Sequence, residues 1–237
     1  MNRKQSAKKS PSKPTKTADE QEPENLEQSF PIVAIGASAG GLEPCIQILS
    51  NLAVDTGMGF VIISHLAPDH KSMLSEILAR ATEMPVSEVQ DNTIVEPNHV
   101  YVIPPNAKMT IAQGALKLMP REQIRGVFMS VDAFFVSLAA ERGNKAIAII
   151  LSGGDSDGAR GIEEIKAAGG ITFAQSQSTA KVSSMPNTAV ATGQVDFVLT
   201  AEEIAQELVN ISRHPYITHS NPTQIIEEQP EEEAFST

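Results

Sequence analysis

Three turns of this sequence bring together the side chains that acyl-transfer chemistry requires. Gly36-Ala37-Ser38-Ala39-Gly40-Gly41 follows the apolar run 31–35 and carries a hydroxyl. Ser64-His65-Leu66 follows the apolar run 59–63 and carries an imidazole. Ser152-Gly153-Gly154-Asp155-Ser156-Asp157-Gly158 follows the longest apolar run of the chain, 146–151, and carries carboxylates. A serine hydroxyl is a weak nucleophile until a base of near-neutral pKa takes its proton, and the base works best when an acid orients its second nitrogen. G-x-S-x-G, matched by residues 36–40, suits a sharp strand-to-helix turn that exposes the serine. Helix N-terminal amides beside Ser38 would then face a developing oxyanion.

The first turn has a competing reading as a dinucleotide loop of the G-x-G-x-x-G kind. Gly36 and Gly41 fit the outer positions, but Ser38 fills the middle one, and His65 stands where a ribose-binding acid belongs. Both mismatches favour the hydrolase, with no cofactor. His65 read alone is a strand-end histidine bonded to backbone; its position level with Ser38 makes it the candidate base. His70, His99, His214 and His219 read as structural or surface groups, with His99 opening a peripheral strand. Asp155 and Asp157 in isolation read as caps of the helix containing Ile162; in company with Ser38 and His65, Asp157 is the candidate orienting acid. No histidine or carboxylate spacing indicates a metal. Cys45 falls on an apolar helix face and reads as core.

Apolar runs alternating with helical periodicity must position these turns. Leu42, Cys45, Ile46 and Leu49 recur at helical spacing, as do Met73, Leu74, Ile77, Leu78 and Ala81, with Asp69 as the expected N-cap of the second helix. Val131, Phe134, Phe135 and Leu138 share a face, and Ile162 and Ile165 lie on the next helix. Runs 171–174 and 196–199 complete the strands, and Thr200 with Glu203 makes a capping box for the last helix. The segments 86–89, 100–103, 109–111 and 116–118 read as hairpins or peripheral strands. Met185-Pro186 reads as a loop before a short helix that Gly193 ends. The pattern predicts a doubly wound α/β domain, a mostly parallel sheet with helices on both faces in a Rossmann-like three-layer arrangement. Ligands in such sheets gather at the strands' carboxyl ends, where all three turns fall.

The chain of 237 residues carries 18 Lys+Arg against 29 Asp+Glu. Residues 1–18 hold six basic and no acidic side chains, 19–29 five acids, and 214–237 five glutamates without Lys or Arg. These segments bury too little apolar surface to offset chain entropy, which predicts disordered tails at 1–29 and 214–237 around a single domain at 30–213. The acidic balance and 4% aromatics exclude a typical nucleic-acid binder. One cysteine excludes a disulfide framework, and no run approaches the roughly 18 apolar residues of a membrane span. With no apolar stretch behind the N-terminal lysines, a soluble cytosolic protein is expected.

Taken together, the turns resemble the CheB-type protein-glutamate methylesterases of bacterial chemotaxis. The resemblance rests on Ala34-Ile35-Gly36-Ala37-Ser38-Ala39-Gly40-Gly41, Ser64-His65-Leu66, Leu151-Ser152-Gly153 through Asp157-Gly158-Ala159, and Ser184-Met185-Pro186. The stretch from Glu96 to Pro105 and Gly169-Gly170 also fit, so it runs from about Pro31 to the last helix. It implies Ser38 as nucleophile, His65 as base and Asp157 as orienting acid. It further implies Ala39 and Gly154 amides as oxyanion donors, and Met185 in a loop shaping substrate access. The implied substrate is a methylated chemoreceptor or similar signalling protein, whose glutamate methyl esters are hydrolysed, with glutamine deamidation in some members. Many relatives carry an N-terminal receiver domain, for which the roughly 30 residues before the first strand are too few. The core looks closest to esterase modules fused to a CheR-type methyltransferase, which implies such an enzyme or a sensor histidine kinase as partner. Asp155 stands where the common pattern has Gly; a carboxylate there would raise the imidazole pKa or disfavour an oxyanion. That departure keeps a second expectation alive, a weakly active or inactive scaffold in a signalling complex.

Overall fold

Strand β1 (Ile32–Ala37) is buried along its whole length, and so is β8 (Ala146–Ile150). A strand with no polar face is stable only inside a sheet covered on both sides. The computed structural model, which describes residues 30–64, 73–120 and 129–214, shows that sheet. Seven strands lie in the order β10-β9-β8-β1-β2-β5-β3, and every pairing is parallel. The others are β2 (Gly59–Ser64), β3 (Val86–Glu88), β5 (Val100–Val102), β9 (Ile171–Gln175) and β10 (Phe197–Leu199). A separate antiparallel sheet joins β4 (Thr93–Ile94), β7 (Ala115–Pro120) and β6 (Ala107–Ala112).

Helices α1 (Leu42–Ser50), α2 (Leu74–Leu78) and α6 (Ala201–Ser212) pack on one face, against Val33, Ile35, Phe60 and Ile149. Helices α3 (Ser130–Arg142), α4 (Ala159–Ala167) and α5 (Ser184–Ala191) cover the other, joined there by the small sheet, against Ala34, Val61 and Ile150. The chain leaves β1 toward one face and β8 toward the other, so a crevice opens between their carboxyl ends. Ser38 and the 152–158 turn stand there.

Three expectations are corrected. The segment 100–103 is interior to the main sheet, since β5 lies between β2 and the edge strand β3 from segment 86–89, so His99 leads into an interior strand. Their shortness hid this, because three residues carry no readable period. Met185 and Pro186 lie in the first turn of α5, where proline's missing N–H costs nothing. Helix α2 covers only Leu74–Leu78 with Met73 at its N-cap; Ala81 lies beyond it, packed on the core. The proposed cap Asp69 and both predicted tails, apart from His214, lie outside the described residues. The Thr200–Glu203 capping box is present as expected.

Candidate active site

The β1–β8 ladder runs on past the last paired residues: Leu151 N–H donates to Gly36 O at 2.9 Å, and Ser38 N–H to Ser152 O at 3.0 Å. Gly41 N–H then donates to Ser38 O at 3.0 Å, closing a tight turn ahead of α1. Gly40 takes φ +80°, and a Cβ there would stand 2.8 Å from Ser152 Oγ and 2.9 Å from Lys181 Cβ. Glycine is therefore required at this point of the turn. Ser38 itself is half-buried at the crevice mouth, next to the exposed Ala39.

Ser152 holds this turn from below. Fully buried, its hydroxyl lies 2.8 Å from Ala39 O and 3.2 Å from Val182 O, and accepts from Val182 N–H at 2.9 Å. Its single proton serves one carbonyl at a time, and the shorter contact is to Ala39. Ser152 N–H donates to Gln175 Oε1 at 2.9 Å. Gly153 N–H donates to Val182 O at 2.9 Å, and Met185 N–H to Gly153 O at 3.0 Å. The segment before α5 is thus stapled beside the Ser38 turn. A Cβ at position 153 would collide with the Met185 sulfur and stand 3.0 Å from Ser38 Cβ. Met185 is 1% exposed and packs its sulfur against Gly153.

Asp157 is 1% exposed and does not cap its own helix. Its Oδ2 accepts from Val131 N–H at 2.9 Å and its Oδ1 from Asp132 N–H at 2.8 Å. The carboxylate is therefore a bidentate cap on the first turn of α3, where the helix dipole favours an anion. The cap of α4 comes from the opposite direction: Asp132, in the first turn of α3, accepts Gly161 N–H at 2.8 Å. Burial pushes the Asp132 carboxyl up to about 6, the Gly161 N–H pulling against it and the Asp157 charge adding to it. Asp155 Oδ1 accepts Asp157 N–H at 3.0 Å, so one of its oxygens serves the turn itself.

Ser38 follows β1, and Asp157 lies in the turn after β8, the strand paired with β1. Ser64, the last residue of β2, pairs with Ala37 of β1; the next residue, His65, lies outside the described residues, as do His70 and His219. Ala39 and Gly154 are exposed at the crevice, and among the described residues neither amide has an acceptor within the fold. His99 stacks on Tyr101 and pairs with Glu96 at 3.5 Å. Cys45 is buried and its thiol is pushed up to about 12 by desolvation, which suits a core residue and not a nucleophile. Among the described residues no group of three His, Cys, Asp or Glu is arranged to hold a metal, and no helix is long and apolar enough to cross a membrane.

Sequence reading passes over Ser152, Gln175 and Asp132 as working parts. For Asp132 a signal existed: an acid three residues before Phe135, on the apolar face of α3, has to be buried against a partner. Ser152 and Gln175 carried none, since hydroxyls and amides at strand ends are commonplace.

The sequence profile of the CheB methylesterase family matches residues 33–208. A protein-glutamate methylesterase/protein-glutamine glutaminase of Myxococcus xanthus is 33% identical over 77% of this chain and 54% of its own length. One of Pseudomonas aeruginosa is 37% identical over 75% of this chain and 52% of its own. The chain therefore spans about half the length of these curated relatives. The crystal structure of the Thermotoga maritima CheB methylesterase catalytic domain superposes with a TM-score of 0.72 at 29% identity, over 77% of this chain and 99% of that one. The family profile spans most of the chain and the catalytic-domain fold matches along it, so this chain belongs to the CheB methylesterase family.

Proposed function

We propose that this protein hydrolyses methyl esters of glutamate side chains on a chemoreceptor or related signalling protein, with Ser38, His65 and Asp157 as its relay. His65 takes the Ser38 proton as Oγ attacks the ester carbonyl carbon, and the tetrahedral oxyanion faces the Ala39 and Gly154 amides. The bond to methoxide breaks, the imidazolium gives up its proton, and methanol leaves. Water, deprotonated by the same imidazole, then releases glutamate from Ser38. A glutamine substrate follows the same course with ammonia as leaving group. The observation that carries this reading is the convergence of the Ser38 turn and the doubly capped Asp157 carboxylate at neighbouring strand ends. The exposed amides of Ala39 and Gly154, which have no acceptor among the described residues, supply the matching anion site in this reading. Since an ester must be made before it is removed, a CheR-type methyltransferase, or a sensor kinase feeding the same circuit, is the partner this reading calls for. Asp155 Oδ1 accepts Asp157 N–H, which makes it part of the turn that carries the proposed acid.

The test is methanol release from a methylated receptor fragment. Ser38→Ala should lower it by about four orders of magnitude or more while leaving thermal unfolding unchanged. Turnover close to wild type in the purified variant would end the proposal.

A further inference from the structure

Asp132 is a buried carboxylate that the relay described above does not use. It stands in the first turn of α3 at 6% exposure, and Asp157 beside it at 1%. Neither α3 nor α4 has a side-chain cap of its own. Each instead takes a carboxylate from across the gap: Asp157, just ahead of α4, receives the Val131 and Asp132 N–H groups of α3, and Asp132 receives the Gly161 N–H of α4. One residue, Asp132, is therefore donor in one half of this exchange and acceptor in the other. What sets this cap apart is that its donor lies on a different helix from its acceptor, so the bond ties α3 to α4 as well as capping the latter. The charged groups that face Asp132 are Asp157, from the β8–α4 turn, and Arg160, from α4.

We infer that Asp132 is a positioning residue of the esterase site: it locks the N-termini of α3 and α4 to one another and so fixes the Asp157 carboxylate in the orientation an imidazole can use. This rests on the reading of Asp157 as the orienting acid. Without the Asp132–Gly161 bond, α4 is released at its first turn, and the turn carrying Asp157 moves with it. The loss falls on the rate of serine acylation and not on ligand binding, because Asp132 is buried behind Asp157 and has no surface to offer a substrate.

The experiment is saturation labelling of the full chain with a fluorophosphonate, which reports Ser38 reactivity without any need to know the receptor. Asp132→Ala should slow the maximal labelling rate by about 10- to 100-fold with the half-saturating concentration unchanged. Asp132→Asn, which keeps an oxygen for Gly161 N–H, should return to within roughly three-fold of wild type. Ile165→Ala, in the same helix pair but away from the carboxylates, serves as a control matched by unfolding temperature and should label at the wild-type rate. Should Asp132→Ala fail to fold, Asp132→Glu takes its place, with an expected loss of about ten-fold from displacing the oxygen by one methylene. Wild-type labelling in Asp132→Ala, equal slowing in Asp132→Asn, or equal slowing in Ile165→Ala would each overturn the inference. A wild-type protein that does not label at all would instead overturn the esterase reading itself, so the two failures are distinct.

Discussion

The two turns that build the crevice are held by opposite means. The Ser38 turn is held by shape: small residues, a left-handed glycine, and backbone bonds to Ser152 that leave no room for another carbon. The Asp157 turn is held by charge and hydrogen bonds reaching between two helices, through carboxylates that are almost fully buried. On the proposed reading, Ser38 as nucleophile has to stay exposed, so its support must come from steric limits beneath it. Asp157 as the proposed orienting acid is buried, so each of its oxygens needs a partner, and those partners become the support. The first turn should therefore fail when an atom is added, the second when an atom is taken away.

The most severe expected effect adds one carbon. Gly153→Ala forces Met185 aside or presses on Ser38 Cβ, at a stability cost of about 1–3 kcal/mol for overpacking. Displacement of the nucleophile by even about 1 Å is worth roughly a 100-fold loss of rate. Adding Met185→Ala to that variant opens space under position 153 and should recover at least part of the activity. Methanol-release rates for the single and double variants decide it; no recovery would mean the turn is not limited by shape.

Ser152 lies on the border between the two regimes, and removing its oxygen sharpens the contrast. Ser152→Ala leaves Val182 N–H and Ala39 O without their shared partner, which costs about 1–3 kcal/mol. Since the bonds from Ser38 N–H to Ser152 O and from Gly41 N–H to Ser38 O remain, activity should fall by no more than about ten-fold. Urea denaturation beside the same rate assay separates the two readouts.

The same division explains what could be read from the sequence. The Ser38 turn was legible because steric demands leave a local trace: Gly36, Ser38, Gly40 and Gly41 sit within six residues. The parallel sheet was legible from continuous apolar runs such as 146–151. The cross-caps were not, because Asp132 and Gly161 are 29 residues apart and their pairing depends on how α3 and α4 meet. Asp157 could be singled out as an acid, but its anchorage on α3 rather than α4 could not. The places of β3 and β5 in the main sheet were hidden too, three residues apiece being too short for any period to declare itself.

The charge in the second turn has a consequence for stability. Asp132 titrates near 3.8 in the unfolded chain and near 6 in the folded one. Between those values the folded protein keeps a proton that the unfolded chain releases, so stability falls as pH rises through that window and stays lower above it. Asp132→Asn cannot ionise. Its unfolding temperature relative to wild type should climb between about pH 4 and pH 6 and level off beyond, by roughly a few degrees in all. A difference that is flat across this range would show that burial does not raise the Asp132 carboxyl, and the account of Asp132 as a desolvated acid between α3 and α4 would fail.

The smallest effect belongs to a cap that stands apart from both turns. Thr200 and Glu203 cap α6 within a single turn of chain, each side chain meeting the other's backbone N–H, on an exposed surface. Thr200→Ala should cost about 1 kcal/mol, or about 2–4 °C in a domain of this size. It should leave fluorophosphonate labelling of Ser38 untouched, because Thr200 follows β10, three strands away from β1 in the sheet, and α6 packs on α1 and β9. Asp132→Ala also removes a helix cap, yet it should slow labelling strongly. Paired measurements on these two variants ask whether a helix cap in this fold matters for what it stabilises or for what it holds in place. Equal labelling rates in the two would reduce the α3–α4 exchange to ordinary capping.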